Sequence, residues 1–342
     1  MSFKDFILKY KAYIICVALL LFVWPPHIHR SQDESNPDGM QQARCVIALS
    51  GYRSEGLAYS TGFNYEMLRR AADLLQCDIQ ISLSEDRTAV LDTLSAGSLD
   101  LVVLPFADSA LAAFPRLLQC SMMADSTVWV VLPNGRLSAA NLNASLSSIR
   151  YSEDYKDIVE RFSPSYEPFS RAASGRKFKY ASPYDRLLKE KAKEIGWDWR
   201  MLASLVWQES RFRIESRSRR GAEGLLQLME STAVAYNGSA ERLDPEASLQ
   251  AGVNYLKKLQ RMFEGDAANQ EELTRFVLAA FNAGEGRIKD CIEMAESKGL
   301  PHSTWEDLKA VIPMVEDFKG TETMAHVERT DSLYKAFCII AP

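Results

Sequence analysis

The chain has 342 residues, of which 47% are hydrophobic and 25% charged. This length and balance are typical of a soluble globular protein with two domains and additional segments. The net charge of −5 and the lack of a Lys/Arg-rich stripe argue against a nucleic-acid-binding protein. The sequence has no P-loop, no Rossmann glycine fingerprint and no paired CxxC motif, and its four histidines are scattered. We therefore expect no nucleotide cofactor and no bound metal.

Residues 1–30 have the pattern of a targeting segment. Lysines within the first eleven residues precede an apolar run over 12–24, which is typical of a secretory signal or a short membrane anchor. Because no clear small-x-small cleavage site comes before Pro25, an uncleaved anchor with its basic end in the cytoplasm fits best. The polar residues 31–43 are predicted to form a linker, and everything after them would face the periplasm.

Residues 44–133 alternate between strand patterns and helix patterns. Short apolar runs predict strands, and apolar residues three and four positions apart predict helices. The predicted strands are 45–49, 79–83, 99–104 and 127–132, and the predicted helices are 65–75 and 87–96. Strands that alternate with helices favour a layer of mainly parallel strands, so this region is predicted to be a single α/β lobe.

The stretch 134–181 is too short for a second lobe of this kind. It is rich in Ser, Asn and charged residues, and its pattern predicts one helix, from Glu153 to Phe162. We interpret it as a connector to the remaining segment, 182–342.

Glu209 is the most informative residue of that last segment. Leu202, Leu205, Val206 and Glu209 fall at i, i+3, i+4 and i+7, which is one face of a helix. That face is expected to be buried, and burial disfavours the charged form of a carboxyl group. A carboxyl group that keeps its proton near neutral pH can act as a general acid. On helical position alone, a glutamate at a helix end that turns to solvent is an equal alternative.

Ordered motifs surround Glu209 and continue along the chain. They run from Trp207 to Phe212, from Ser218 to Met229, from Asp244 to Leu249 and from Ala279 to Arg287. In this order they resemble the lysozyme-like domain of soluble-type lytic transglycosylases, and the flanks around 182–185 and 305–313 resemble the membrane-bound lytic transglycosylase F family. The resemblance implies an α+β multidomain protein. Its parts would be an all-α lysozyme-like domain over 182–342 and, over 44–133, one lobe similar to a periplasmic solute-binding protein.

The resemblance also implies roles for particular residues. Glu209 takes the position of the single catalytic glutamate, which protonates the β-1,4 bond between N-acetylmuramic acid and N-acetylglucosamine. The same glutamate then deprotonates the muramyl 6-hydroxyl, which leaves a 1,6-anhydro end and consumes no water. Glu215, Glu223 and Glu230 take non-catalytic positions, and we interpret them as solvated surface. The substrate-binding positions implied by the resemblance are Ser210, Ser218, Gly224, Gln227, Met229, Phe281, Asn282, Ala283, Gly284 and His326.

Two of these positions depart from the family pattern. Phe281 stands where the family usually has Tyr, so one hydroxyl is lost from the cleft wall. His326 stands where a Tyr close to the catalytic glutamate is usual. An imidazole would replace the donor or weaken the site, and an ordinary helix histidine is an equal alternative. A catalytically weakened wall-binding or regulatory module therefore stays open, as does a hydrolytic enzyme of the goose-type lysozyme kind.

The predicted partners are peptidoglycan glycan strands and a membrane, which the chain would reach through residues 1–30, with no cofactor and no nucleic acid. The predicted location is the periplasmic face of the cell envelope. A single lobe has no second lobe to close on a solute, so we do not expect it to bind small solutes tightly. The cysteines after the anchor would face an oxidising compartment, where both disulfides and unpaired buried thiols are open alternatives.

Overall fold

The computed structural model describes residues 42–48, 55–163, 165–169, 180–237 and 242–341, and for 55–60 it describes the backbone alone. The predicted anchor, 1–30, and most of the linker lie outside these residues. Within the described ranges, no helix combines the length and the apolar character that crossing a membrane would require.

A five-stranded sheet forms the N-terminal layer. Its strands are β1 (Gln42–Ile47), β2 (Asp78–Leu83), β3 (Leu101–Pro105), β4 (Leu118–Gln119) and β5 (Thr127–Val131), in the spatial order β2-β1-β3-β5-β4. β1 pairs in parallel with β2 and β3, as the alternating pattern predicts. β5, however, runs antiparallel to both β3 and β4, so the prediction of mainly parallel strands is wrong for this half of the sheet. The chain between β3 and β5 contains a short 3-10 turn, Ser109–Ala113, and the two-residue strand β4, but no crossover helix that would return it in parallel.

Helices cover both faces of the sheet because its strands are apolar on both sides. Cys45 and Ile47 of β1 pack with α1 (Glu55–Leu75), whereas Val46 packs on the other face with α2 (Arg87–Ser95). α1 begins ten residues earlier than the predicted helix start at Tyr65. The core on the α1 side is continuous with the core of the C-terminal helices, and residues 41–342 form one compact unit.

The stretch 134–181 contains a helix that the composition does not suggest. The predicted helix is present as α4 (Tyr155–Arg161), but it is preceded by α3 (Ala139–Arg150), which packs against α1. Leu142, Leu146 and Ile149 are buried along α3, at i, i+4 and i+7. Serines and asparagines between these positions make the segment look like a loop, and the prediction of a single helix is therefore wrong.

Helices make up the C-terminal part, in agreement with the expected all-α domain. They are α5 (Asp185–Lys193), α6 (Trp199–Ser210), α7 (Glu230–Asn237), α8 (Pro245–Phe263), α9 (Gln270–Ala283), α10 (Glu285–Ser297), α11 (Trp305–Val311) and α12 (Thr321–Ile340). α12 packs along α6 and α9, so the last helix of the chain lies against the helix that carries Glu209.

The cysteines of the described ranges are free thiols, which corresponds to the second of the two alternatives above: Cys45, Cys77, Cys120, Cys291 and Cys338. Burial raises the pKa of the Cys120 thiol to about 11. Burial and, to a smaller extent, the charge of the nearby Asp290 raise the pKa of the Cys291 thiol to about 11. These thiols are therefore protonated and poorly nucleophilic near neutral pH.

Candidate active site

Glu209 lies at the C-terminal end of α6, where the buried face of the helix reaches the surface. Asp198 caps the N-terminus of α6 by accepting a hydrogen bond from the backbone N–H of Arg200. Leu202, Leu205 and Val206 are fully buried, as the periodicity predicts. The Glu209 side chain, one turn further on, is 18% exposed, so it sits at the boundary between core and solvent.

His326 meets Glu209 across the boundary between α12 and α6. Its Nε2 lies 2.8 Å from Glu209 Oε1, which is hydrogen-bonding distance. The His326 side chain is only 5% exposed, and its Nδ1 has no hydrogen-bond partner among the described residues. A neutral imidazole with its proton on Nε2 donates to the Glu209 carboxylate and leaves the second carboxylate oxygen available to another group.

The C-terminal end of α9 is tied to the same helix. Thr323, one turn before His326 on α12, donates its hydroxyl proton to Oδ1 of Asn282 at 2.9 Å. α9 ends at Ala283 and is followed by Gly284, whose N–H bonds to the carbonyl of Ala280 and whose φ is +89°. The structure thus links Asn282 to the helix that carries His326, and sequence reasoning did not single out Thr323. Its spacing of three residues from His326 is the signal that would have found it.

Gln227 and Gly224 hold the segment 216–228 in a compact turn. The Gln227 side-chain amide donates to the carbonyls of Ser216, at 2.8 Å, and Gly224, at 3.0 Å. Gly224 has φ +80°, and a Cβ atom at this position would lie 1.9 Å from the carbonyl oxygen of Arg242. Only glycine allows the two backbones to approach this closely, so Gly224 serves the packing of the segment.

Arg242 and Ser248 support this segment from behind, and sequence reasoning missed both. Arg242 is buried and donates from Nη1 to the carbonyl of Gly221 at 2.9 Å. Ser248 Oγ accepts a hydrogen bond from the backbone N–H of Leu225 at 3.1 Å. Ser248 lies inside the Asp244–Leu249 motif and Arg242 two residues before it, and this placement is the sequence signal for their role.

Two predicted substrate-binding serines make local contacts. The hydroxyl of Ser210 is buried and donates to the carbonyl of Val206 within α6. The hydroxyl of Ser218 is at the surface and accepts from the backbone N–H of Ala222. In this structure the Ser210 hydroxyl therefore forms a hydrogen bond within α6, and the Ser218 hydroxyl forms one within the turn.

Met229 and Phe281 differ in their surroundings. Met229 is 44% exposed directly after the turn, which suits a side chain that a ligand would cover. Phe281 is half-buried and packs on Tyr255, with ring centroids 5.7 Å apart. Tyr255 in turn donates its hydroxyl proton to Glu285 at 2.8 Å. Ala283, the last residue of α9, is half-buried.

The other three glutamates of this region lie in different environments. Glu230 is exposed, in agreement with the interpretation as solvated surface. Glu223 is half-buried and forms ion pairs with Arg217 at 3.0 Å and Arg242 at 3.2 Å. Glu215 is only 3% exposed, so its interpretation as solvated surface is wrong. No periodic signal marks this position, because Glu215 lies in an irregular segment that is covered by another part of the chain.

Among the described residues, no group of three or more His, Cys, Asp or Glu side chains is arranged to hold a metal ion. At the end of α6 the structure pairs one carboxyl group, that of Glu209, with one imidazole, that of His326. This set can donate and accept protons at one exposed carboxyl oxygen.

A family model covers most of the helical part. Residues 186–302 match the transglycosylase SLT domain. Glu209, the turn over 216–228 and Asn282 lie inside this SLT domain, whereas His326 lies beyond the matched range.

Relatives named membrane-bound lytic murein transglycosylase F are similar to longer stretches of the chain. The protein of Desulfosudis oleivorans is 27% identical over 221 residues, which cover 60% of this chain and 48% of the relative. The protein of Stutzerimonas stutzeri is 38% identical over 130 residues, covering 38% of this chain and 26% of the relative. The chain thus spans at most about half the length of these relatives, and the resemblance to lytic transglycosylases is confirmed at this level.

Solved structures of lytic transglycosylases superpose on the chain with low TM-scores. The lytic transglycosylase Slt of Pseudomonas aeruginosa covers 59% of this chain, with 20% identity and a TM-score of 0.36. The 70 kDa soluble lytic transglycosylase of Escherichia coli covers 84% of it, with 16% identity and a TM-score of 0.37.

Proposed function

We propose that the protein is a lytic transglycosylase that cleaves peptidoglycan glycan strands, with Glu209 as its single general acid and base. One observation carries the proposal. Within the region that matches the SLT domain, Glu209 is a half-buried carboxyl group at a helix end with one oxygen hydrogen-bonded to His326. Burial on one side and access on the other are what a proton donor to a bulky substrate needs.

In the proposed reaction, the carboxyl group of Glu209 donates its proton to the glycosidic oxygen between N-acetylmuramic acid and N-acetylglucosamine. The bond from C1 to that oxygen breaks. The resulting carboxylate then takes the proton of the muramyl 6-hydroxyl, whose oxygen bonds to C1. The reaction consumes no water, since the proton lost by Glu209 is returned by the 6-hydroxyl. The product carries a 1,6-anhydro ring. General acid–base catalysis contributes about 10²- to 10⁴-fold in rate.

His326 would orient the carboxyl group in both steps. Because Nε2 lies against Oε1, the second oxygen, Oε2, is the one that faces substrate. Gly224, Gln227 and Met229 would line one wall of the glycan site. Ser218 and Phe281 through Gly284 keep the proposed roles in binding sugar, and Ser210 supports the end of α6.

We place the sugar strand along the exposed surface near Glu209 and the anchor, residues 1–30, in a membrane at the periplasmic face. The proposed division of the chain is linker 31–43, lobe 44–133, connector 134–181 and catalytic domain 182–342. The names of the relatives, which include "membrane-bound", support this placement.

The deciding experiment is digestion of isolated sacculi by the full chain in detergent, with mass spectrometry of the released muropeptides. We expect products lighter by one water than the hydrolysed forms. Glu209→Gln should fold and lose at least about 10²-fold in release, because it removes the proton donor and keeps the shape. Glu293→Gln, the same change at an exposed position of α10, is the matched control and should keep full activity.

Two results would contradict the proposal in different ways. Products that contain the added water would indicate the hydrolytic, goose-type alternative. Binding to sacculi without any release by the wild type would favour the regulatory wall-binding alternative, which the substitution of His326 for the usual Tyr motivates. Activity of Glu209→Gln within about threefold of wild type would exclude a single-carboxylate mechanism.

A further inference from the structure

Glu215 is a buried carboxyl group that the proposed reaction does not use. It is 3% exposed, and neither of its oxygens forms a hydrogen bond of good geometry within the described residues. Burial raises the pKa of Glu215 to about 8, while polar contacts with the backbone and the Thr61 hydroxyl of α1, and the charge of Arg213, lower it by less. A carboxyl group in such a place is neutral at pH 7.

Tyr184, which is also buried, is a second neighbour of Glu215. The Tyr184 hydroxyl has no hydrogen-bond partner among the described residues, and its pKa is raised by burial and then by Glu215. α1 reaches this hydroxyl because residue 62 is glycine: a Cβ atom there would lie 2.9 Å from the Tyr184 oxygen. The rings of Phe63, Phe162 and Tyr184 then pack edge to face in sequence. Glu215 thus lies between Thr61 of α1, the helix that packs on the sheet, and Tyr184.

The backbone connects Glu215 directly to the turn 216–228, whose Gly224 and Gln227 we propose as one wall of the glycan site. Ser216, the next residue, accepts hydrogen bonds at its carbonyl from the Gly224 N–H at 3.1 Å and from the Gln227 amide at 2.8 Å. One residue further, Arg217 lies 3.8 Å from Glu85 of the sheet layer and 3.0 Å from Glu223 of the turn. A movement of residue 215 would therefore displace the turn that carries Gly224 and Gln227.

We propose that Glu215 is a positioning residue. Its uncharged side chain packs against α1, and through this contact α1 and the sheet hold the turn 216–228 beside Glu209. This inference rests on the proposed function for its catalytic consequence only. In this arrangement the N-terminal layer acts through contact with the catalytic segment, and it needs no solute and no second lobe.

Ionisation of Glu215 would weaken the support. A carboxylate at this position loses solvation, and its polar contacts with the backbone and the Thr61 hydroxyl offset only part of that loss. The charged and titratable groups that face Glu215 or its neighbour Tyr184 are Arg213 on the same segment, Tyr65 and Glu66 on α1, and Asp244 at the start of α8. The backbone, the Thr61 hydroxyl and Arg213 favour the charged form of Glu215, and burial outweighs them. The turn should therefore loosen as the pH rises towards and above 8.

The test compares amide hydrogen exchange of peptides over 214–228 in the full chain in detergent, wild type against Glu215→Gln, at each pH from 5 to 8. If Glu215 must ionise in the open state and stays neutral in the closed state, the ratio of wild-type to variant opening rises with pH by at least about tenfold. If the glutamine amide of Glu215→Gln disturbs folding, Glu215→Met takes its place, because a methionine side chain has a similar length and no charge. The same rise of the ratio with pH is expected with this variant. Glu293→Gln is the control and should leave the ratio flat.

Muropeptide release provides the catalytic arm. Wild-type release should fall reversibly relative to Glu215→Gln above pH 8 and return when the pH is brought back to 6. A flat exchange ratio, or a change confined to the sheet strands, would overturn the inference. A rising ratio together with no release at any pH would leave the support intact and refute the proposed function alone.

Discussion

Replacement of Gly224 by alanine tests whether the turn depends on close backbone approach. The new Cβ would lie 1.9 Å from the Arg242 carbonyl oxygen and 2.7 Å from Ser248 Oγ, and neither the backbone carbonyl nor the buried serine can swing away. A left-handed φ costs an L-residue about 1–2 kcal/mol, and overpacking adds about 1–3 kcal/mol. We expect the free energy of unfolding to fall by about 2–5 kcal/mol.

Gly221→Ala is the matched control for this experiment. Gly221 has φ +86°, close to that of Gly224, but a Cβ atom at this position meets nothing within 4 Å. Urea denaturation followed by circular dichroism should therefore show the conformational cost in both variants and the packing cost in Gly224→Ala alone. Muropeptide release should fall in Gly224→Ala at temperatures where it is still folded. Equal destabilisation by the two substitutions would refute the argument from close approach.

Three further predictions concern the pH dependence of stability, the role of His326 and the binding of small solutes. Because the folded state holds the Glu215 proton with a pKa of about 8 against 4.5 in the unfolded chain, wild-type stability should fall relative to Glu215→Gln as the pH rises from 4.5. The difference should approach about 3 kcal/mol at pH 7 in urea titrations, and parallel stability curves would contradict this. His326→Tyr should keep muropeptide release, since a phenol hydroxyl can donate the hydrogen bond that Nε2 makes to Glu209 Oε1; loss of release in this variant would show that the imidazole itself is required. Calorimetric titration with amino acids and small peptides should show no submicromolar binding to the sheet layer, and a tight complex with any of them would disprove this expectation.

Local patterns in the sequence predict the strands β1, β2, β3 and β5 and the helices α2 and α4. The capped, apolar α6 and the strands on either side of α1 follow from side-chain periodicity, because burying one face of a helix or strand depends on residues a few positions apart. The motifs around Glu209 also predict the SLT domain, which the family model matches over 186–302. Where polar residues interrupt the pattern, as in α3, local reasoning fails, since a Ser- and Asn-rich segment becomes helical only when another helix covers its leucines.

The tertiary structure alone decides the environment of the charged groups. Glu209 and His326 are 117 positions apart, and only the packing of α12 on α6 brings their atoms to 2.8 Å. The same holds for Glu215, whose burial comes from α1, a helix more than 140 positions earlier in the chain. Hydrophobic periodicity reports which side of a helix or strand faces the core. The solvation of a single carboxyl group depends instead on whichever distant segment covers it, and no local pattern records that.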